Sequence, residues 1–203
     1  MAQPYPYRII FLRHGQTSYN AENRLQGQRD IGLNGKGREQ AGAVGRFLQG
    51  HLGAELLRIE AAGAFWASPL GRTRQTMELA RAAMGLPPES YRVDARLEEL
   101  SFGDWEGLNW DEVEAKYPEG VKARQADKWD FAPPRGESYA GLVERVKPWL
   151  AERDSDTFIV AHGGVARALL AILADIAPPL AAEAEIWQGR ALIFDKGGFS
   201  WIG

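Results

Sequence analysis

The sequence predicts an α/β fold in three layers: a mostly parallel sheet covered by helices on both faces, with an antiparallel last strand. Short apolar runs at residues 7–12, 64–67, 157–161 and 191–194 have the length and composition of buried strands. Helical patterns alternate with them, as parallel strands joined by crossover helices require. Lys196-Gly197-Gly198 lies between two apolar runs and reads as a hairpin turn, which sets the final strand antiparallel.

The first strand ends in Ile9-Ile10-Phe11-Leu12 and breaks off at Arg13-His14-Gly15. A helix over 35–52 follows, with Asn34 as its N-cap, because the asparagine oxygen accepts from backbone N–H groups that lack a helical partner. The strand at 64–67 leads into a helix that starts near Leu70 and ends before Gly85. Residues 101–136 break the alternation. Rich in Trp, charge and Pro, they read as a lid-like insertion in a single domain spanning 1–203. A helix over 137–152 is expected to bend or stop at Pro148, which has no N–H and crowds the preceding turn. After the strand at 157–161, a helix runs from Gly164 to about Asp175 and ends before Pro178-Pro179. The terminal Phe199-Ser200-Trp201-Ile202 reads as an edge strand or a pairing surface, and an exposed apolar edge favours a homodimer.

With 203 residues, 45% of them hydrophobic, the chain is long enough to bury a full core. It contains no cysteine, which excludes disulfide frameworks, zinc ribbons and thiol catalysis and fits a reducing compartment. No basic-then-apolar leader is present, and no apolar run approaches the roughly 18 residues of a membrane span. A cytoplasmic protein with no membrane partner is expected. The net charge of −3 is spread among interspersed acids and bases, so no basic face suggests nucleic acid. An anionic substrate must therefore be attracted by a local cluster of arginines.

Three strand ends share a chemistry: Arg13-His14-Gly15, Ser68-Pro69-Leu70-Gly71-Arg72 and His162-Gly163-Gly164. Loops that follow parallel strands open on one edge of the sheet, so two of the three histidines and two arginines are expected to converge there. Arginine presents a rigid donor fork that fits phosphate or carboxylate. Gly163-Gly164 ahead of a helix leaves bare N–H groups at a positive terminus, a second anion-binding element. A carboxylate would complete the set, since apolar surroundings favour the protonated form that a general acid needs. In the stretch 96–107, Glu98, Glu99 and Glu106 are all candidates.

Other residues read more plainly. His51 is a surface or C-cap residue, and Arg74 and Arg81 are solvated. Lys122, Arg124, Lys128 and Arg135 are read as a solvated face in preference to contacts with a second anionic group. Trp105, Trp110, Tyr117, Trp129 and Phe131 are assigned to core and lid packing.

Four motifs occur in order: Arg13-His14-Gly15-x-Thr17, Ser68-x-Leu70-x-Arg72-x-x-x-Thr76, Leu97-x-Glu99-x-x-Phe102-Gly103-x-Trp105-Glu106-Gly107 and His162-Gly163-Gly164. Together they resemble the histidine phosphatase superfamily, with its phosphoglycerate mutase-like fold, from residue 8 to about residue 170. The resemblance implies His14 as a nucleophile that carries a phosphoryl group, with Arg13, Arg72 and His162 around the transferring oxygens. It selects Glu99, by its spacing from the Phe-Gly pair, as proton donor to the leaving alkoxide and then as base for water. Glu106 takes a supporting role. Asn20, Gln26, Gly27 and Gly163 match substrate-binding positions. Neither metal nor cofactor is implied, because arginines supply the positive charge.

The implied activity is a metal-independent phosphatase that hydrolyses small phosphorylated metabolites through a phosphohistidine. Phosphoglycerate mutase-type transfer and phosphoprotein phosphatase activity are the alternatives. Cofactor-dependent mutases of this resemblance are longer and carry Gly-Leu-Asn-Lys, where this chain has Gly107-Leu108-Asn109-Trp110. Gly136-Glu137-Ser138 resembles phosphatase-type members. A non-catalytic binding domain ranks lower, because the nucleophile, the second histidine and both arginines are all present. The lid-like segment, which the shortest phosphoprotein phosphatases lack, favours a small-molecule substrate.

Overall fold

Strands β1 (Ile9–Arg13), β2 (Phe65–Ala67), β3 (Arg92–Val93), β4 (Thr157–Ala161), β5 (Ala191–Asp195) and β6 (Gly198–Ile202) form one sheet in the order β3-β2-β4-β1-β5-β6. The computed structural model describes residues 5–196 and 198–203. β1 runs parallel to β4, with Ile9 opposite Thr157 and Arg13 opposite Ala161, and β2 runs parallel to both β4 and β3. β5 is antiparallel to β1, and β6 is antiparallel to β5. The hairpin thus makes the last strand antiparallel to its neighbour. The strand that opposes the parallel body is β5, while β6 returns to the direction of β1. Gly197, assigned to the hairpin turn, lies outside the described residues. β6 forms an edge of the sheet, where Phe199 is exposed.

The near-continuous apolar runs follow from burial on both faces of the sheet. Alternate residues point to opposite sides. Ile9, Phe11, Ile159 and Ala161 join one core with α6 (Tyr139–Ala151) and α7 (Gly163–Leu173), while Ile10, Leu12, Phe158 and Val160 join another with α2 (Gly35–Ala61) and α3 (Gly71–Ala83). Helices therefore cover both faces, as expected. Asn34 caps α2 by accepting from Gly37 N–H at 2.9 Å. The helix expected to end at 52 instead breaks its helical geometry at Leu52 (φ −127°, ψ 17°) and resumes to Ala61. Pro148 does not terminate α6. It lies near the C-terminal end, and the helix continues through it to Ala151.

Several short elements have no counterpart in the periodicity: α1 (Ser18–Ala21), β3, and α8 (Pro178–Glu183). Pro178, expected only to stop a helix, opens α8, where its missing N–H needs no partner. Residues 101–136 fold into α4 (Trp110–Lys116) and α5 (Pro118–Ala126) over a small third core of Leu25, Trp105 and Val113. His51 is exposed and Arg74 is exposed, as expected. Arg81 is not solvated. It is fully buried, with its guanidinium 4.3 Å from the Phe65 ring centroid and paired with Glu60 at 2.8 Å. No helix among the described residues is long and apolar enough to cross a membrane.

The two faces of α2 give opposite expectations for the same substitution. A Cβ on Gly45 would stand 2.4 Å from the Ala80 carbonyl oxygen of α3, whereas one on Gly50 meets nothing within 4 Å. Gly45→Ala is therefore expected to destabilise by about 1–3 kcal/mol through overpacking. Gly50→Ala should stabilise by about 0.5–1 kcal/mol, through helix propensity alone. Denaturant midpoints check the pair; equal shifts would contradict this helix packing.

Candidate active site

The C-terminal ends of β1 and β4 lie side by side, which brings His14 and His162 together with ring centroids 5.2 Å apart. Both are buried. His14 Nδ1 faces the Gly15 carbonyl oxygen at 2.8 Å. A carbonyl only accepts, so Nδ1 carries the proton in the neutral ring and Nε2 keeps its lone pair. Burial, then Arg72, then Arg13 push the His14 pKa well below the ordinary 6.5. The same chemistry acts on His162. The site thus holds two uncharged imidazoles at neutral pH. Gly15 makes this turn fit, because a Cβ there would lie 2.3 Å from the Gly37 carbonyl oxygen.

Arg72 reaches the site from the first turn of α3, where it is fully buried. It donates to the carbonyls of Arg29 and Gly27, both at 2.7 Å. With the Gln26 amide oriented to suit both neighbours, its oxygen accepts from Arg72 at 3.2 and 3.3 Å and its nitrogen donates to Thr17 Oγ1 at 2.8 Å. Burial lowers the Arg72 pKa to about 10, against the opposing pull of Glu99, which leaves the guanidinium charged at neutral pH. Gly27 adopts φ +52°, and a Cβ there would overlap the Glu106 carboxylate. Glu106 Oε1 accepts from Gln28 N–H at 3.0 Å and Phe102 N–H at 3.2 Å, stapling the 26–29 loop to the turn at 101–103. Arg13 donates to the Ile186 carbonyl at 2.8 Å. Arg13 Nε and His162 Nδ1 have no hydrogen-bond partner among the described residues.

His162 is the N-cap residue of α7, and its Nε2 lies 2.8 Å from Ser68 Oγ at the end of β2. The bare N–H groups expected after it do meet an anion, and that anion belongs to the protein. Glu99 Oε1 accepts from Gly164 N–H at 2.9 Å and from Leu100 N–H at 2.8 Å. A Cβ on Gly164 would lie 2.3 Å from that oxygen, so glycine is what lets the carboxylate approach the helix terminus. Asn20 Oδ1 is committed to Thr17 N–H and Gln188, which leaves its amide hydrogens to donate.

Arg13, His14, Asn20, Gln26, Gly27, Arg72, Glu99 and Gly163 all line one cavity of about 340 Å³, and His162, edge-on to His14, is not part of that lining. Glu98 and Glu106 are not part of that lining. Six cationic side chains line it, Arg13, Arg24, Arg72, Arg124, Lys128 and Arg167, against the single carboxylate of Glu99. A chain of net charge −3 thus keeps a strongly positive interior site. The expected solvated face divides in two. Lys122 and Arg135 are exposed and paired with Glu119 and Asp104. Arg124 is buried and Lys128 half-buried, and both face the cavity. Trp110, assigned to packing, is also exposed at the cavity wall.

Sequence reasoning missed Arg24, Arg167 and Tyr139 as cavity residues. Arg167 had a readable signal, since it follows Gly163 by four residues and so shares its helix face. Arg24 had none, because a loop places it by donating to the Gly107 carbonyl and Glu112. Among the described residues no three His, Cys, Asp or Glu side chains stand where they would hold one metal ion.

The profile of the histidine phosphatase superfamily (branch 1) matches residues 9–194. The human 6-phosphofructo-2-kinase/fructose-2,6-bisphosphatase 1 is 34% identical over 172 residues, covering 84% of this chain. The chain spans only 33% of that protein's length. The 2,3-bisphosphoglycerate-dependent phosphoglycerate mutase of Azorhizobium caulinodans is 31% identical, with 93% of this chain and 92% of that protein covered. Among solved structures, a mycobacterial glucosyl-3-phosphoglycerate phosphatase in complex with VO3 superposes with a TM-score of 0.75 at 29% identity, covering 97% of this chain and 96% of its own.

The paired imidazoles set a spectroscopic expectation. Because burial depresses their pKa values below 6.5, the neutral form is complete above that pH and is lost only as pH falls beneath it. Nitrogen-15 NMR of labelled histidine at pH 7 should show His14 as a neutral ring with the proton on Nδ1. An imidazolium signal there would contradict the site's electrostatics. The unfolded chain binds these protons more readily, so stability should decline as pH drops below about 6.5.

Proposed function

The chain belongs to the histidine phosphatase superfamily, and from that membership we propose that it is a metal-independent phosphatase acting through a phosphohistidine on a small, doubly anionic phosphomonoester. In the first step the Nε2 lone pair of His14 forms a bond to phosphorus as the bond to the ester oxygen breaks. Glu99 gives a proton to that leaving oxygen. Arg13 and Arg72 hold the phosphoryl oxygens, where charge builds in the transition state, and His162 supports them from beside the His14 ring. In the second step water attacks phosphorus, Glu99 takes its proton, the phosphorus–nitrogen bond breaks and inorganic phosphate leaves. The observation that carries this reading is the buried His14 ring, with Nδ1 2.8 Å from the Gly15 carbonyl oxygen, in a cavity with six cations and one carboxylate.

Two groups of positive charge support a substrate with two anionic groups. Arg72 and Arg13 are the cations that act on the His14 ring. Arg124, Lys128 and Arg167 line the same cavity and act on one another. One phosphoryl group needs only the first set. The names of the three relatives point the same way, since a bisphosphate carries two anionic groups and a phosphoglycerate carries a phosphate and a carboxylate. The mutase is the second reading, favoured by a relative matched over nearly its whole length. Trp110 in place of the mutase lysine and the solved phosphatase structure favour hydrolysis.

Phosphate release from bisphosphates, phosphoglycerates, sugar phosphates, an aryl phosphate and a phosphopeptide, measured with chelator present, tests this reading. Hydrolysis should persist with chelator and vanish in His14→Ala. Isomerisation of phosphoglycerate without phosphate release would establish the mutase instead. Arg124→Ala and Lys128→Ala should each raise KM for the doubly anionic ester about 10-fold or more, as loss of a charge-assisted contact predicts. The aryl phosphate should respond by less than about threefold. Equal effects on both substrates would remove the second anion from the account.

A further inference from the structure

Arg145 lies on α6, away from the cavity lining, yet it divides its guanidinium between Glu137 and the segment that carries Glu99. Its Nη1 donates to the carbonyls of Arg96 at 2.9 Å and Glu98 at 3.1 Å, with Ala95 at 3.4 Å. Its Nη2 reaches the Glu99 carbonyl at 3.4 Å and Glu137 Oε2 at 2.8 Å, and Nε donates to Glu137 Oε1 at 3.0 Å. All five N–H donors of the fork therefore have acceptors.

This segment has little regular structure of its own. A single 3₁₀ turn, Ala95–Leu97, passes into extended backbone at Glu98, so among the described residues only Arg145 donates to the Arg96 and Glu98 carbonyls, while the Ala95 carbonyl also accepts from Glu98 N–H at 3.1 Å and the Glu99 carbonyl from Gln28 Nε2 at 3.2 Å. The Glu137 pair offsets the guanidinium charge and fixes the plane of the fork, which a surface ion pair would not do. α6 itself is anchored in the core through Leu142, Val146 and Trp149. Rigid helix, planar fork and irregular loop thus form one mechanical chain that ends on the Glu99 backbone.

We propose that Arg145, oriented by Glu137, is a positioning residue that holds the Glu99 carboxylate at the leaving-group side of the cavity. The proposal rests on the reading of Glu99 as proton donor. Gly164 and Leu100 N–H fix one oxygen of the carboxylate, and Arg145, together with Gln28 on the Glu99 carbonyl, fixes the backbone from which it projects. Releasing the second constraint lets the side chain pivot about the first. Proton delivery depends on placement to within a fraction of an ångström, so its loss should be steep, while phosphoryl binding by Arg13 and Arg72 stays intact.

The test compares an alkyl phosphomonoester, whose leaving group needs a proton, with an aryl phosphate, whose leaving group does not. Arg145→Lys keeps the charge but cannot span the carbonyls. It should lower kcat for the alkyl ester about 10- to 100-fold with KM unchanged, and leave the aryl phosphate and inhibition by inorganic phosphate within about threefold. Glu137→Gln, which keeps the fold of the fork's partner, should repeat the pattern more weakly and decides the matter if Arg145→Lys does not fold. Glu99→Gln run alongside separates the two ideas. If it shows the leaving-group dependence and the Arg145 and Glu137 variants lose both substrates equally or neither, the positioning role is overturned while Glu99 stands. If Glu99→Gln itself lacks that dependence, the acid assignment fails and the positioning proposal with it.

Discussion

Everything around the site answers to one electrostatic constraint: an imidazole must remain uncharged between two guanidinium groups that must remain charged. Burial removes water from all three, and each buried donor then needs an acceptor. Arg72 finds its acceptors in the 26–29 loop, which is why that loop turns its Gly27 and Arg29 carbonyls inward and why Gly27 takes a left-handed φ. Arg13 takes the Ile186 carbonyl. His14 donates its one N–H to the Gly15 carbonyl, so the tautomer is set by the same backbone that places the ring. Supporting residues such as Gln26, Thr17 and Glu106 touch these loops and hold them in that shape.

Glu99 answers to the same positive field. Surrounded by six cations, a free carboxylate would collapse onto the nearest guanidinium and block it. Instead two backbone N–H groups hold one oxygen, at a helix terminus that glycine leaves open. The carboxylate stays beside the arginines without forming an ion pair with Arg13 or Arg72 in the described contacts. The cavity keeps its positive charge, and Glu99 keeps its second oxygen without a hydrogen-bond partner among the described residues, as the proposed acid requires.

What the sequence made legible is what local chemistry dictates. The doubly buried strands appear as continuous apolar runs, and the strand-end motifs place His14, Arg72 and His162 on one sheet edge because topology leaves no other place for them. Less legible is anything decided by packing between distant segments. Arg124 and Arg135 look alike in sequence, and only the fold of α5 over Trp105 turns one inward and leaves the other beside Asp104. Arg81 reads as a solvated helix residue until Phe65 and Glu60 close around it. Gln26, assigned to the substrate by resemblance, turns its amide to Arg72 and Thr17. Arg145 carries no sequence signal, because its partners are backbone carbonyls, which every residue possesses.

The central claim is that His14 becomes covalently phosphorylated during turnover. The direct measurement is to mix enzyme with a hydrolysed phosphomonoester, quench into alkali within one turnover, digest, and locate phosphate by mass spectrometry. Alkali preserves a phosphorus–nitrogen bond that acid would break. Phosphate on the peptide that contains His14, absent in His14→Ala and lost on acid treatment, is the predicted result. Turnover with no phosphopeptide at any quench time, or with phosphate on another residue, would contradict the account.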